Sequence, residues 1–453
     1  MSKRFNYDLA VIGSGDAGGK AALIAAESGR RVVLIEANKW GGSSLNSSNV
    51  PFGALFHASQ IYKKALDGGK FGISSNGLRY NYPTVNNWKN VAMRRAKANS
   101  KAIFEASNIT CIKGKARFIS KKELAVNDEI IQAKNYLIAT GASVLDTGIK
   151  IPENVDYWLP EDVLNIIRPP KSLFIIGAGS TGCELAQYFA TLGTEVIIAD
   201  IAGRLLPRED EEVGQVMDYV FNKDKVKVLT QSRVIALEKD GQAKRVIFLR
   251  GGQEKSVRVD EVLMCTGSAP NVDIGLENAG VKFNRSGVIV DITMRTSQKH
   301  IYAAGDVVGG HSSTEKAEID ARVAAMHIIG RSKAIADYRG VIRVTDTFPE
   351  VAQVGETEDD CLRSDKKITK VVVPLDGVMK ANISDTHNGF IKLIVAKKTN
   401  RLLGATVVAP NAGIVAQELA FALCYDLTAD NIALVPHLAN DWNALIREAC
   451  ERL

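Results

Sequence analysis

The chain carries one unit twice: an apolar strand, a Gly-x-Gly-x-x-Gly turn, a helix, and a second strand ending in an acid. The first copy runs Tyr7-Asp8-Leu9-Ala10-Val11-Ile12 into Gly13-Ser14-Gly15-Asp16-Ala17-Gly18. A helical stretch follows over Lys20 to Gly29, then a strand from Arg31 to Ile35 closed by Glu36. The second copy runs from Ser172 to Ile176 into Gly177-Ala178-Gly179-Ser180-Thr181-Gly182. Its helix continues through Leu192, and its second strand, Glu195 to Ala199, is closed by Asp200. Gly13 and Gly177 make the tight turn, and Gly15 and Gly179 let the backbone approach a pyrophosphate. Gly18 and Gly182 let the helix lie close on its strand. The pyrophosphate then rests on a helix N-terminus, where free N–H groups and the dipole favour negative charge. A glycine-rich turn alone is weak evidence; the strands, helix and acid in register make it specific. Two dinucleotides are expected, each with a free 2′-hydroxyl, because Glu36 and Asp200 would repel a 2′-phosphate. That favours NADH over NADPH, although Arg204 lies four residues beyond Asp200.

At 453 residues the chain exceeds one compact core. Its 38 glycines and 12 prolines suit an α/β protein with many strand-to-helix turns. A proline-bearing stretch, Ile151 to Lys171, connects the two dinucleotide folds. The net charge of +6 is scattered, with no Lys/Arg block of the kind a nucleic-acid surface needs. No apolar run is long enough to span a bilayer and no signal peptide opens the chain, so a cytoplasmic protein is expected. Six cysteines (Cys111, Cys183, Cys265, Cys361, Cys424, Cys450) have neither CxxC nor metal-site spacing. They read as small buried hydrophobes, with no metal site and no disulfide framework.

Tyr136-Leu137-Ile138-Ala139-Thr140-Gly141, Leu263-Met264-Cys265-Thr266-Gly267 with Pro270-Asn271, and Ile301-Tyr302-Ala303-Ala304-Gly305-Asp306 follow in order. Thr347-Phe348-Pro349-Glu350-Val351-Ala352 and Gly389-Phe390-Ile391-Lys392 come after them. With these segments the chain resembles, essentially end to end, the pyridine nucleotide–disulfide oxidoreductases, the family of dihydrolipoamide dehydrogenase, glutathione reductase and mercuric reductase. The resemblance implies an α/β fold of two Rossmann-like domains plus a C-terminal α+β dimerisation domain. Residues 1–150 and 271–335 would bind FAD, 151–270 NAD, and 336–453 would form the homodimer interface. It also implies that Gly42, Ser43, Thr140, Gly141 and Asp306 contact FAD, Asp306 at the ribityl chain. Gly267 would join Gly177, Gly179, Gly182 and Asp200 at the nicotinamide dinucleotide.

The departures bear on chemistry. Relatives carry G-G-T-C-x-N-x-G-C-x-P-S-K, whose cysteines form the redox disulfide beside the flavin. Here the stretch reads Gly41-Gly42-Ser43-Ser44-Leu45-Asn46-Ser47-Ser48-Asn49-Val50-Pro51-Phe52-Gly53. Ser44 and Asn49 replace the cysteines, and Gly53 replaces the lysine near the flavin. Neither Ser nor Asn forms a disulfide or a thiolate. Relatives end in H-P-T-x-x-E, a base and its orienting acid; alignment on Leu445-Ile446-Arg447-Glu448-Ala449 puts Ala439 and Ala444 there. His437 lies two residues away, where a family histidine also occurs without that role. Glu184 matches the family glutamate near the nicotinamide, which in relatives pairs with the lysine that is Gly53 here.

Four losses serve one half-reaction, while both sets of phosphate and ribose residues remain. The expected activity is hydride transfer from NADH to FAD and onward to a non-thiol acceptor such as a quinone, metal ion, dye or protein. Glu184, Ser44 and Asn49 would stand at the reacting centre, and a small-molecule acceptor would enter a cleft lined by Ser44, Asn49, Phe52, Ala439 and Trp442 of the partner subunit. The other readings are a non-catalytic flavin- or NAD-binding sensor or assembly subunit, and a thiol reductase using unconventional cysteines.

Overall fold

A computed structural model describes residues 6–74, 76–98, 100–331 and 333–453. They form two compact units, Met1–Leu55 with Pro83–Leu145 and Ser268–Tyr338, and Phe56–Tyr82 with Asp146–Gly267 and Arg339–Leu453.

The first unit is built on a five-stranded parallel sheet in the order Ile301–Ala303, Ala133–Ile138, Tyr7–Ile12, Val32–Glu36, Thr110–Lys113. The chain leaves the central Tyr7–Ile12 strand in one direction and later returns on its other side. That reversal opens a crevice at the carboxyl end of the strand, where the first glycine turn lies. Leu9, Ala10, Val11, Val33 and Leu34 are fully buried, as a sheet covered on both faces requires. Helices Asp16–Glu27 and Thr314–Ile328 cover one face, and Ala17, Ala21, Ala25, Ala317, Ala321 and Ala324 join their shared core. The antiparallel meander Ala116–Ser120, Glu123–Val126, Glu129–Ile131 brings Phe118 and Leu124 into the core of the opposite face.

The second unit repeats the design around Ser172–Ile176. Its parallel sheet has the order Lys227–Leu229, Glu195–Ala199, Ser172–Ile176, Glu261–Met264, again reversing at the strand that feeds the glycine turn. A meander of Ser232–Asp240, Ala243–Arg250 and Gln253–Val259 accompanies it. From residue 342 the chain builds a five-stranded antiparallel sheet, Ile342–Thr345, Glu350–Gly355, Leu402–Ala409, Phe390–Ala396, Ile368–Pro374. Helices Ala412–Cys424 and Ala444–Glu451 share its core. The fold is therefore the α/β class expected, with an α+β C-terminal part.

Lys392 is 1% exposed inside this unit, with its ammonium 2.8 Å from Glu212, 2.8 Å from Glu358 and 3.3 Å from Asp210. The three carboxylates come close enough to share a metal ion, but an ammonium already supplies the positive charge. Removing the ammonium would leave the buried Asp210 carboxylate without its cation, which makes this a structural network. No helix among the described residues is long and apolar enough to cross a membrane.

Candidate dinucleotide and redox sites

In the first unit, Glu36 is buried at the end of its strand and turned back onto the glycine turn. Its Oε2 accepts the Ser14 N–H at 2.9 Å and the Ser14 hydroxyl at 2.6 Å, and Oε1 accepts the Asn38 N–H at 2.7 Å. A carboxylate has roughly four acceptor positions, so capacity remains for a ribose hydroxyl. Gly42, at φ +63°, passes so close to the turn that a Cβ on it would stand 2.5 Å from Gly15 Cα. The two backbones form a cradle that side chains would fill, with the exposed Ser43 beside it, and this fits a pyrophosphate. Thr140 and Gly141 are clasped by Asn271: Thr140 Oγ1 donates to the Asn271 carbonyl at 2.7 Å, and the Asn271 N–H donates to the Gly141 carbonyl at 2.9 Å. Asp306 follows the Ile301–Ala303 strand, where burial pushes its carboxyl up and Lys316 opposes the shift.

The second unit reproduces the acid's geometry. Asp200 accepts the Ala178 N–H at 2.7 Å on Oδ2 and the Ala202 N–H at 2.7 Å on Oδ1. Gly177, Gly179 and Gly182 form the adjoining turn, and Gly267 follows Thr266, whose buried hydroxyl has no hydrogen-bond partner among the described residues. That orphan hydroxyl and the pinned acid fit a second dinucleotide. Arg204 is engaged elsewhere, donating to the Pro207 and Glu209 carbonyls at 3.4 and 3.2 Å and lying 3.3 Å from Asp359.

Ser44 and Asn49 meet in the first unit. The Ser44 hydroxyl donates to Asp16 Oδ2, which also receives the Thr314 hydroxyl at 2.8 Å. Asn49 Nδ2 donates to Thr314 Oγ1 at 2.9 Å, and Ser44 Oγ lies 3.3 Å from that same atom. Asp16, Asn49 and Thr314 each open a helix, so three helix starts converge on one hydrogen-bonded cluster. The sequence pointed to Ser44 and Asn49 but not to Asp16 or Thr314.

Glu184 stands two residues past Gly182 in the second unit, lining a pocket with Ser59, Lys63, Gln187, Asp346 and Phe348. Its Oε1 accepts the Asp346 N–H at 2.9 Å. Burial pushes its carboxyl up to about 7, the Asp346 N–H opposes the shift, and the Asp346 carboxylate adds to it. Lys63 lies 3.2 Å from Asp224 and 3.5 Å from Asp67, so its charge is already committed.

All six cysteines are free. Cys183 and Cys265 approach one another beneath the second glycine turn, a proximity their spacing did not reveal; burial pushes both thiols well up. Burial likewise pushes Cys361 and Cys450 up to about 12. Thiols held neutral in this way are poor nucleophiles. Toward the C-terminus, Ala439 is exposed and Ala444 buried. His437 pairs instead with Glu418, Nε2 to Oε1 at 2.8 Å, and Asn443 Nδ2 donates to the other Glu418 oxygen at 3.2 Å. Trp442 is 3% exposed within its own C-terminal core. The expectation that it lines a cleft is therefore corrected: its ring is consumed by packing.

Residues 7–326 match the family described as pyridine nucleotide-disulphide oxidoreductase, and residues 341–442 match that family's dimerisation domain. The chain is 32% identical over 438 residues to a mercuric reductase of Staphylococcus aureus, covering 96% of this chain and 80% of that protein. It is 31% identical over 456 residues to a dihydrolipoyl dehydrogenase of Staphylococcus aureus, covering 98% and 96%. Among solved structures, the HOCl-induced flavoprotein disulfide reductase of Escherichia coli superposes with a TM-score of 0.87 at 25% identity, covering 98% of this chain and 99% of that one. The chain belongs to the pyridine nucleotide-disulphide oxidoreductase family and is a flavin-dependent oxidoreductase whose cofactors are FAD and a nicotinamide dinucleotide.

Proposed function

We propose that this protein is an NADH-dependent flavoprotein reductase, active as a homodimer, that passes electrons to a small non-thiol acceptor. The observation that carries this reading is the cluster at Ser44 and Asn49. The two positions that hold redox sulfurs in disulfide-reducing relatives hold a hydroxyl and an amide here, both bonded toward Asp16 and Thr314. FAD, when bound, accepts a hydride from the nicotinamide and returns the electrons to the acceptor. Glu36 and Asp200 would hold the two riboses, and the engagement of Arg204 away from Asp200 favours NADH. With alanine at 439 and 444, no base stands where a thiol substrate would be deprotonated, which suits a flat, less polar acceptor such as a quinone. In anaerobic steady state, NADH oxidation should rise severalfold on adding a water-soluble quinone and stay at background with lipoamide or glutathione disulfide. Stimulation by a disulfide and not by the quinone would overturn the proposal.

Glu184 would hold a proton at the nicotinamide site. Its carboxyl is raised from 4.5 to about 7, so between those values the native state binds more protons than the unfolded chain. Stability that Glu184 provides is then present at low pH and lost as pH rises through this window. Glu184→Gln should remove the loss: urea midpoints of the wild type should fall relative to the variant between about pH 5 and about pH 8. Parallel profiles would show that the carboxyl is not raised.

A further inference from the structure

The two glycine turns differ in one charge. The second reads Gly177-Ala178-Gly179-Ser180, with a neutral hydroxyl at the start of its helix; the first reads Gly13-Ser14-Gly15-Asp16. A carboxylate therefore stands inside a turn whose geometry serves to hold an anion. Asp16 cannot swing freely, because Oδ2 receives the hydroxyls of Ser44 and Thr314. Both of those bonds come from neutral donors, and no ion pair to Asp16 forms among the described residues. The surroundings add to the negative charge. Asp306 feels both Asp16 and Asp320, and Lys316, the cation that opposes them, is bound to Asp320 at 2.8 Å.

We propose that Asp16 makes FAD exchangeable in this protein, its carboxylate opposing the pyrophosphate's charge so that the holoenzyme releases flavin and its occupancy follows the free FAD concentration. The inference rests on FAD being the dinucleotide of the first unit, as the family assigns. The helix N-terminus supplies only a fixed amount of positive potential, and Asp16 takes part of what the second turn leaves entirely to its ligand. The clasp by Ser44 and Thr314 keeps the carboxylate to one side, so binding is weakened without being blocked.

The test is FAD release from the purified holoenzyme on dilution, read as recovery of flavin fluorescence, with affinity obtained by titrating FAD back. Asp16→Asn keeps an oxygen to accept from Ser44 and Thr314 but removes the charge, and Asp16→Ser reproduces the second turn. Both should tighten the dissociation constant by roughly tenfold or more. Asp16→Glu should not. The gain should shrink as salt is raised, which a change in packing alone would not produce. Affinities of the Asn and Ser variants equal to or weaker than wild type would overturn the proposal. So would a wild-type holoenzyme that releases no flavin on extended dilution. Failure of the wild type and every variant to bind FAD at saturating concentration is a separate result, and it would overturn the assignment of FAD to this unit.

Discussion

Gly182→Val should abolish reduction of the flavin by NADH while leaving the FAD content of the protein unchanged. A Cβ at position 182 would stand 1.9 Å from the Gly177 carbonyl oxygen and 3.5 Å from Cys265 Cβ. The first contact is with backbone, which cannot rotate away as a side-chain tip can. The helix start must therefore lift from its strand, taking the N–H groups of the phosphate turn with it. Misplacing a bound reactant by about an ångström costs on the order of a hundredfold in rate, and loss of binding adds to that. Stopped-flow absorbance should show NADH reduction slowed by at least about a hundredfold, with a normal FAD-to-protein ratio. The matching change in the other unit, Gly18→Val, would place its Cβ 1.9 Å from the Gly13 carbonyl oxygen and should strip FAD instead. Wild-type reduction rates in Gly182→Val would remove the second turn from the reaction.

Restoring sulfur to both positions of the serine–asparagine cluster should give the protein a second two-electron couple. Ser44 Oγ and Asn49 Nδ2 lie 3.3 and 2.9 Å from the same Thr314 oxygen, so their side-chain tips converge. A disulfide requires Cβ atoms within about 3.5 to 4.5 Å, the separation that the double variant must reach when it is oxidised. The double variant Ser44→Cys, Asn49→Cys, oxidised before use, should take up about two NADH per flavin and develop long-wavelength absorbance from a thiolate beside the flavin. Each single variant should still stop at about one NADH per flavin. Turnover with disulfide substrates should stay low, because alanine at 439 and 444 supplies no proton acceptor and general-base loss alone costs about 10²- to 10⁴-fold. A double variant that takes up no second equivalent would contradict the assignment of this cluster as the former redox pair.

What the sequence made legible was local. The strands Tyr7–Ile12, Ser172–Ile176 and Glu195–Ala199 occur as expected, because each is a short apolar run bounded by turn residues. The first helix begins at Asp16 instead of Lys20, because Gly18 and Gly19 lie inside it, where their small size serves packing and not a turn. The acids at 36 and 200 could be placed from spacing because a strand end fixes them relative to its glycine turn. The rest depends on contacts distant in the chain. Thr314 joins Asp16 across 298 residues and Asn49 across 265, and no periodicity links them. Cys183 and Cys265 approach because the strand that ends at Met264 lies beside the one feeding the glycine turn, beneath the helix that carries Cys183. The pairing of His437 with Glu418 required knowing which face of the Ala412–Cys424 helix lies against residue 437. Trp442 reads from sequence as an aromatic near a site, and only packing shows that the core takes it.

Anaerobic titration of the holoenzyme with NADH, followed through the flavin spectrum, distinguishes a lone flavin from a flavin coupled to a thiol pair. Bleaching should be complete at about one NADH per flavin, with no long-wavelength thiolate band at any point. Uptake of a second equivalent, or appearance of that band, would mean that a thiol couple operates beside the flavin and would contradict the non-thiol reading. Failure of both NADH and NADPH to reduce the bound flavin would contradict the enzyme itself.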